Sequence, residues 1–361
     1  MDTEVTTVIE PETGVAVLPS VSLNPVPETV LYNLAAPDAP IELRIEAQRL
    51  AGVGRDAAIA VDVPDGWVVE PATSDISLDR IGVTAEAVFS VSPGKQRETA
   101  QYGIPVRAKG TLAASEKVTV VAHPHIGRTY AIRPAKIMVQ TAHVSLPKGA
   151  RIAYIEGSAD RVPDRLEQLG LDVARLSPDQ VSYGDLSAFD TLVIGIFAYR
   201  TRPELAAANA RVRDFVQAGG NLVTLYHRPW DNWDPAVTPP RPLTIGSPSL
   251  RWRVTDQNAS VRHLVPDHPL LTRPNRIGDQ DWAGWHKERG LYFASSWDSA
   301  YEALLEMADP GEAPLDGALL SARIGKGRRT HTSLILHHQL EHLVPGAYRL
   351  FANLVAPVDA D

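Results

Sequence analysis

The segment DTLVIGIFAYRTRPELAAANARVRDFVQAGGNLVTLYH, residues 190–227, decides the fold of the second half of the chain. It opens with DTLVIGI (190–196), a run with almost no polar residue, as is typical of a parallel strand covered on both faces. It closes with a second buried run, NLVTLYH (221–227). The part between them predicts a helix, because one apolar stripe at helical spacing contains Leu205, Ala208, Val212, Phe215 and Val216.

The same alternation extends upstream. RIAYIEG (151–157) is a short apolar strand, residues 162–169 have helical spacing, and LDVARL (171–176) is a further strand. The order of strands and helices predicts an open, mostly parallel sheet with helices on both faces. Pro and Gly in SLPKGA (145–150) mark a domain boundary, so the α/β domain is expected to cover residues 148–361.

The C-terminal part of this domain is less regular. The Pro- and Trp-rich stretch 228–242 is long enough to indicate a functional or interface loop. DGALLSARI (316–324) and HTSLILH (331–337), joined by GKGRR, predict an antiparallel hairpin at the sheet edge. AYRLFANLV (347–355) predicts a closing helix.

The first half has a different period. In IELRIEAQRL (41–50) apolar and polar residues alternate, which predicts an antiparallel strand with one face on a core. Four more short runs of this kind follow between turns, and none has helical spacing. We therefore expect an immunoglobulin-like (Ig-like) β-sandwich over residues 18–147, preceded by a tail or linker at 1–17.

Composition restricts the possible partners and compartments. Thirty-five Lys and Arg against 43 Asp and Glu leave a net charge of −8 without a basic half, so nucleic acid is not expected as a partner. No apolar run approaches the roughly 18–20 residues that span a bilayer, and the acidic N-terminus does not resemble a signal peptide. The chain has no cysteine, which excludes disulfides and a cysteine nucleophile. We expect a cytoplasmic location by default, or export if the chain is part of a secreted precursor.

Candidate binding residues follow the strands of the α/β domain. In an open α/β sheet the ligand crevice lies beyond the carboxyl ends of the strands. An arginine, a histidine and indole rings there would suit a polar ring such as a sugar. The alternative is a surface loop whose tryptophans anchor it to the core. The candidates are Ser158, Tyr199, Arg200, His227, Arg228, Trp230 and Asp231.

Possible metal sites have weak support. His338, Glu341 and His342 match the H-x-x-E-H pattern of zinc proteases, but that pattern needs a helix, and the segment follows an apolar strand and is expected to be a loop. A second group with metal-ligand chemistry also fits a turn, and contains His263, Asp267, His268, Asp279 and Asp281. We predict no metal site in this chain. The motifs G-x-S-x-G, G-x-G-x-x-G and the P-loop are absent from the sequence.

Several segments resemble the C-terminal region of bacterial PIG-L (LmbE-type) de-N-acetylases. The resemblance implies a class I glutamine-amidotransferase-like, flavodoxin-type domain of the ThuA-like branch. The sandwich is similar to a module associated with α-galactosidases, with VPDGWVVEP (63–71) as its best match. In the second domain the resemblance rests on residues 152–173, 185–205, 215–227, 268–293 and 345–355.

Two departures from these families bear on function. The H-P-D-D-type zinc motif of the catalytic domain is absent here, so the resemblance implies zinc only in an associated catalytic domain and no cofactor in this chain. Class I amidotransferases also place a cysteine after the strand that corresponds to residues 221–226. Here that turn reads Tyr226-His227-Arg228, so the acyl-enzyme route has no nucleophile.

Three hypotheses remain open. The first is a non-catalytic accessory region of a PIG-L-type deacetylase acting on N-acetylated sugars or glycoconjugates, which binds carbohydrate or the catalytic domain, in cis or in trans. The second is a stand-alone hydrolase with His227 or His337 as general base, with or without a bound metal. The third is a purely structural interdomain scaffold, which would be favoured if the loop with Trp230 and Trp233 were buried against the sandwich.

Overall fold

A computed structural model describes the backbone of residues 6–9 and, in full, residues 17–36, 39–95, 98–123, 127–157 and 161–358. The chain divides into two compact units, residues 1–143 and 144–361. The sequence pattern placed the boundary a few residues later, between 147 and 148. The fold is mixed, with a β-sandwich in the first unit and an α/β domain in the second.

The first unit consists of strands and turns throughout its described residues. Its strands are β1 (Thr6–Ile9), β2 (Val21–Val26), β3 (Thr29–Asn33), β4 (Ile41–Arg49), β5 (Asp56–Val61), β6 (Val68–Glu70), β7 (Ser74–Ser77), β8 (Thr84–Ser92), β9 (Ala100–Gly110), β10 (Glu116–His123), β11 (Gly127–Pro134) and β12 (Lys136–Ala142).

Two sheets enclose the core of this unit. One has the order β2-β4-β8-β6 and the other β3-β12-β9-β5-β7. The pairs are antiparallel except for β3 with β12. The alternation predicted for 41–50 is observed, because Ile41, Leu43 and Ile45 are buried while Glu42 and Arg44 are exposed. The buried side chains of both sheets form one cluster, which is the core of a sandwich.

A third, smaller sheet was not predicted from the sequence. It has the order β1-β11-β10, and the side chains of β10 and β11 are exposed or partly buried. Its first strand lies inside the segment 1–17, which the sequence pattern assigned to a tail or linker. Four residues with no partner of their own give no periodic signal, and only the pairing with β11 makes them a strand.

The second unit combines helices and strands. They are β13 (Arg151–Ile155), α1 (Val162–Leu169), β14 (Asp172–Arg175), α2 (Pro178–Tyr183), β15 (Thr191–Ile194), α3 (Ala198–Thr201), α4 (Pro203–Ala207), α5 (Asn209–Ala218), β16 (Asn221–Thr224), β17 (Leu243–Ile245), β18 (Arg253–Val254), β19 (Val261–His263), α6 (Pro269–Thr272), β20 (Gly290–Leu291), β21 (Ala294–Trp297), β22 (Glu302–Ala303), β23 (Leu305–Met307), β24 (Leu319–Ile324), β25 (Gly327–Thr332), α7 (Leu336–Glu341) and α8 (Pro345–Leu354).

The main sheet has the order β14-β13-β15-β16-β25-β24-β22. The first five strands are parallel, and β24 and β22 are antiparallel to their neighbours. Every residue of β15 and β16 is buried, which explains the nearly unbroken apolar runs in their sequences. The open parallel sheet predicted from the sequence is confirmed.

The hairpin at the end of the sheet has a different second arm from the one predicted. The strand is β25, residues 327–332, and not 331–337. The error arose because Arg328 and Arg329 were assigned to a turn, although both are buried. Arg328 donates to Asn221 Oδ1 at 3.2 Å and to the Ala356 carbonyl at 2.7 Å, so its burial is matched by hydrogen bonds.

The segment that follows also differs from the expectation of a loop. Residues 336–341 form helix α7, and the backbone N–H of His342 donates to the His338 carbonyl, which continues the helical pattern by one residue. The closing helix is present as α8. None of the helices in the described residues is long and apolar enough to cross a membrane.

Candidate functional site

The candidate site lies at the carboxyl ends of the parallel strands, between β13 and β15. There the order of strands in the sheet changes direction relative to the chain. Gly157, two residues after β13, approaches the turn after β15 closely. A Cβ atom there would lie 1.9 Å from the Ile196 carbonyl oxygen, so only glycine allows this contact. The predicted site residue Ser158 comes next in the chain and lies outside the described residues.

The turn between β15 and α3 contains a non-glycine residue in the left-handed region of the backbone. Phe197 has φ +56°, directly between a buried parallel strand and a helix. In G-x-S-x-G hydrolases the reactive side chain occupies such a strained strand-to-helix turn. The turn after β16, where family comparison placed the missing nucleophile, has no positive φ at Tyr226, His227 or Arg228. An inert phenyl ring therefore stands at the elbow of this sheet.

His227 is an interior residue and not part of the site surface. It is fully buried, its Nε2 atom accepts from the Tyr199 backbone N–H at 3.3 Å, and its Nδ1 atom lies 2.9 Å from the Leu225 carbonyl. These partners require a neutral ring with the proton on Nδ1. Burial lowers the pKa of His227 to about 4, which keeps that form. The predictions that His227 contacts a ligand or acts as a general base are therefore wrong. Its imidazole instead accepts a hydrogen bond from the first turn of α3.

Tyr199 also differs from its predicted role, whereas the predicted ligand contact of Arg200 stays a prediction. Tyr199 is buried, and its hydroxyl donates to Asn209 Oδ1 at 2.9 Å. Burial raises the pKa of Tyr199 to about 12. Its ring packs against His227 and Trp233, with centroids 5.4 and 5.9 Å away, so it supports the site from within. Arg200 is exposed on α3, and no contact found in the described residues ties its side chain to the other candidates.

Arg228 is held in a fixed orientation. Its Nε and Nη2 atoms donate to Asp231 Oδ1 at 3.0 and 2.7 Å, and Asp231 is fully buried. The hydrogen bond to Asp231 raises the pKa of Arg228. Its Cζ atom lies 4.1 Å from the ring centroid of Phe197 and 5.5 Å from that of Trp230. The guanidinium is thus aligned by one carboxylate and two aromatic faces, and its Nη1 side has no partner among the described residues.

Aromatic rings continue from this arginine. Trp230 is 59 % exposed, and its ring lies edge-on to Tyr292 with a centroid distance of 5.8 Å. The rings of Tyr292 and Tyr226 are parallel within 15° at 6.2 Å, and His337 lies 5.7 Å from Tyr226. Trp233, in contrast, is buried in the same unit. We call this group the aromatic cleft and define it by the exposed Trp230, the buried Tyr226 and the partly buried Phe197, Arg228, Tyr292 and His337.

Tyr226 and His337 of the cleft, and the nearby Glu288, have pKa values shifted toward their neutral forms. Burial raises the pKa of Tyr226, with a further contribution from the nearby Glu288 carboxylate. Burial also raises the pKa of Glu288 and lowers that of His337 to about 3. With Arg228 neutralised by Asp231, the cleft presents hydrogen-bonding groups and aromatic faces and little net charge.

Sequence reasoning missed Phe197, Tyr292 and Glu288. Tyr292 comes from a segment more than 60 residues after Trp230 and has φ +56°. No spacing rule joins such distant positions, because a β-strand or helix period describes only neighbours along the chain. The residues that were found, Arg228, Trp230 and Asp231, all follow one strand directly.

The H-x-x-E-H segment lies on α7 with His338 and His342 one turn apart. The Nδ1 atom of His342 lies 2.9 Å from the His338 carbonyl, and its ring stacks on His286 with a centroid distance of 3.8 Å. In the described parts of the chain, no three His, Asp or Glu side chains gather closely enough to hold a metal ion. The zinc-protease pattern is therefore present as a helix but without a third ligand.

The other predicted metal group is dispersed. Trp282 Nε1 donates to His263 Nε2 at 3.1 Å, and Asp281 pairs with Arg349 at 2.9 Å. His268 Nδ1 accepts from the Leu270 backbone N–H, while Asp267 is exposed. His263, His268 and Asp281 each have a local partner, and among the described residues the group does not gather into a metal site.

No protein-family model and no curated protein matches the chain. Solved structures match it at low TM-scores. A β-galactosidase from Rahnella sp. R3 has a TM-score of 0.34 and 18 % identity, with coverage of 58 % of this chain and 31 % of the enzyme. An exo-β-1,4-mannosidase from Opitutaceae bacterium strain TAV5 has a TM-score of 0.33 and 12 % identity, with coverage of 58 % of this chain and 36 % of the enzyme.

A third match is the E. coli chaperone DraB, with a TM-score of 0.21 and 14 % identity over 34 % of this chain and 57 % of DraB. The chain spans about a third of the length of the two glycosidases. At TM-scores this low, the likenesses support no conclusion about function.

Proposed function

We propose that the chain is a non-catalytic binding region that holds carbohydrate in the aromatic cleft. The observation that carries the proposal is the pairing of exposed Trp230 with Arg228, whose orientation is fixed by buried Asp231. Sugar rings present apolar C–H faces that pack on aromatic rings, and hydroxyl oxygens that accept from a guanidinium. A preformed arrangement loses little entropy when the ligand binds.

The absence of catalysis is inferred from two positions. A phenyl ring occupies the left-handed strand-to-helix turn at Phe197, and His227 is buried with both ring nitrogens hydrogen-bonded. Neither residue can form or break a bond to a ligand.

We further infer that the partner is a PIG-L-type zinc de-N-acetylase for N-acetylated sugars or glycoconjugates, in the same polypeptide or as a separate subunit. This rests on the sequence resemblance of the α/β domain. The finer fold assignments are part of the same proposal. The strand order β14-β13-β15-β16-β25 is 2-1-3-4-5 along the chain, as in flavodoxin-type sheets, which favours an amidotransferase-like domain. Two facing sheets favour an Ig-like sandwich in the first unit.

The binding proposal is tested on a glycan array with the full chain, Trp230→Ala and Tyr183→Ala. Tyr183 is 86 % exposed on α2 and lies outside the cleft, so it is the matched aromatic control. We expect Trp230→Ala to weaken binding at least tenfold, with an unchanged melting temperature, and Tyr183→Ala to bind like the unaltered chain.

Co-purification with a PIG-L-type deacetylase tests the partner. Retention of the deacetylase on the immobilised chain supports the accessory role. If the chain binds no glycan and retains no deacetylase, the proposal is wrong.

A hydrolase that uses His337 is the second candidate, favoured by one observation. The Nδ1 atom of His337 is buried and has no hydrogen-bond partner among the described residues, and its ring centroid lies 5.7 Å from that of Tyr226. A pKa of about 3 makes this imidazole a weak base at neutral pH, which argues against the role. Turnover of N-acetyl sugars that is lost in His337→Ala and kept in His342→Ala, with metal analysis of both proteins, would favour it.

A further inference from the structure

The first unit contains a hollow that none of the functions discussed above uses. It has a volume of about 460 Å³, which lies in the range of small-molecule sites. Strands β2, β10, β11 and β12 and the start of β3 form its walls. Its lining residues are Pro25, Glu28, Thr29, Lys117, Thr119, Arg133, Pro134, Lys136 and Met138.

Three cations line this hollow against one carboxylate. Of these three cations, Lys117 pairs with Glu28, and Arg133 and Lys136 have no ion-pair partner among the described residues. The local excess is therefore two positive charges, in a chain whose net charge is −8. A basic hollow on an acidic protein does not follow from overall composition.

Two of these cations form a cross-strand pair of like charges that is unfavourable for the sheet. Lys117 and Arg133 are directly opposite each other in the antiparallel pair of β10 and β11. Like charges in that position destabilise a sheet. Burial, and then the charge of Arg133, lower the pKa of Lys117, as expected for crowded cations. A pair that is unfavourable for the sheet is explained if a ligand neutralises it.

We propose that this basic hollow binds a phosphate group, carried by a phosphorylated sugar or present as inorganic phosphate. A phosphate monoester has a charge of about −1.5 to −2 at pH 7, which matches the excess of two cations, and its three oxygens accept from a guanidinium and two ammonium groups. Pro25, Pro134 and Met138 add apolar surface on which the body of a ligand can rest. This site is independent of the aromatic cleft.

The test is calorimetric titration of the full chain at constant ionic strength with glucose 6-phosphate, inorganic phosphate and glucose. The key variant is Arg133→Gln with Lys136→Gln, both of which are exposed, so the fold is retained. The control is Arg44→Gln with Lys109→Gln, which removes the same charge from exposed positions outside the hollow.

We expect one saturable site for the phosphate compounds, no binding of glucose, and at least tenfold weaker binding in the Arg133/Lys136 variant only. The melting temperature of that variant without ligand should be equal or higher, because the repulsion with Lys117 is relieved. Tighter binding of glucose 6-phosphate than of inorganic phosphate identifies the ester as the ligand, and equal binding identifies the free anion. No binding at millimolar concentration, or equal loss in the control variant, would overturn the proposal.

Discussion

The imidazole Nε2 atom of His227 accepts a hydrogen bond from the backbone N–H of Tyr199 at 3.3 Å, in the interior of the α/β unit. This contact ties the turn after β16 to the first turn of α3. The N–H groups at the start of a helix have no partner within the helix, so a buried side chain that accepts from one of them stabilises the helix start. His227, which the sequence suggests as a catalytic base, thus stabilises the fold.

His227→Ala should therefore mainly change stability. The substitution leaves a buried N–H without an acceptor and opens a cavity, and we expect the free energy of unfolding to fall by about 3 kcal/mol. Urea unfolding followed by tryptophan fluorescence reports this, because every tryptophan except Trp67 lies in the α/β unit. Exposed His342→Ala is the control, with an expected change within about 0.5 kcal/mol. A decrease in the free energy of unfolding of less than about 1 kcal/mol, together with lost ligand binding, would show that His227 belongs to the binding site.

Acid should destabilise the α/β unit. Burial lowers the pKa of His227 to about 4 and, with the charges of Arg329 and His227, that of His331 well below its ordinary value. An unfolded histidine titrates near pH 6.5, so between about pH 6.5 and 4 the unfolded chain binds more protons than the folded one. The stability is complete above that window and is lost as the pH falls through it, by up to about 3 kcal/mol for His227 alone.

Urea midpoints measured between pH 7.5 and 4.5 check this dependence. His227→Gln should show a shallower decline than the unaltered chain, because one depressed histidine is removed. A midpoint that stays constant down to pH 4.5 would contradict the assignment.

Gly157→Ala should disrupt the carboxyl edge of the sheet. The added Cβ atom would lie 1.9 Å from the Ile196 carbonyl oxygen and 2.7 Å from the Ala198 nitrogen, and both belong to backbone. We expect a loss of at least about 2 kcal/mol, since backbone must move to accept the methyl group. Gly278→Ala is the matched control, because no atom lies within 4 Å of its added Cβ. Equal melting temperatures for the two variants would show that the predicted close approach is wrong.

Asp231→Asn should weaken ligand binding more than stability. The amide removes the charge that aligns Arg228, so we expect at least tenfold weaker glycan binding and a loss of about 1–3 kcal/mol in unfolding free energy. The control, Asp267→Asn, changes a carboxylate whose side chain is 89 % exposed and should alter neither quantity. Glycan titration and urea unfolding of the same preparations separate the two effects. Unchanged affinity in Asp231→Asn would mean that the arginine does not contact the ligand.

Arg329→Met should be tolerated. Arg328→Met should not, because it removes the hydrogen bonds to Asn221 Oδ1 and the Ala356 carbonyl. In the described part of the chain no carboxylate pairs with Arg329, which is buried with the Thr330 carbonyl and the Tyr301 phenol as partners. Replacing a poorly compensated buried charge with an apolar side chain of similar size is often neutral or stabilising, and we expect a change within about 1 kcal/mol. The charge of Arg329 lowers the pKa of His227 and of His331, so its removal should also reduce acid sensitivity. Severe destabilisation by Arg329→Met at pH 7 would contradict this account.

The boundary of what sequence could predict is clear from β25. Strands β15 and β16 of the same sheet were identified from nearly unbroken apolar runs, whereas β25 contains two arginines and was assigned partly to a turn. Arg328 is accommodated only because Asn221 and the carbonyl of Ala356 lie beside it, and both are more than 25 residues away along the chain.

The sequence by itself determined the alternating strands of the sandwich, the parallel α/β sheet and the polar residues that follow its strands, because the period of apolar residues shows which face of each element must leave water. Tertiary structure alone decided which of those polar residues reach the surface. Arg228 and Trp230 join Phe197 and Tyr292 in the aromatic cleft, while Asp231 is buried and paired with Arg228, and His227 is buried and bonded to Tyr199. The physical reason is that a polar side chain can be buried where it has a hydrogen-bond partner, and for His227 one partner, the Tyr199 backbone N–H, lies 28 residues away along the chain.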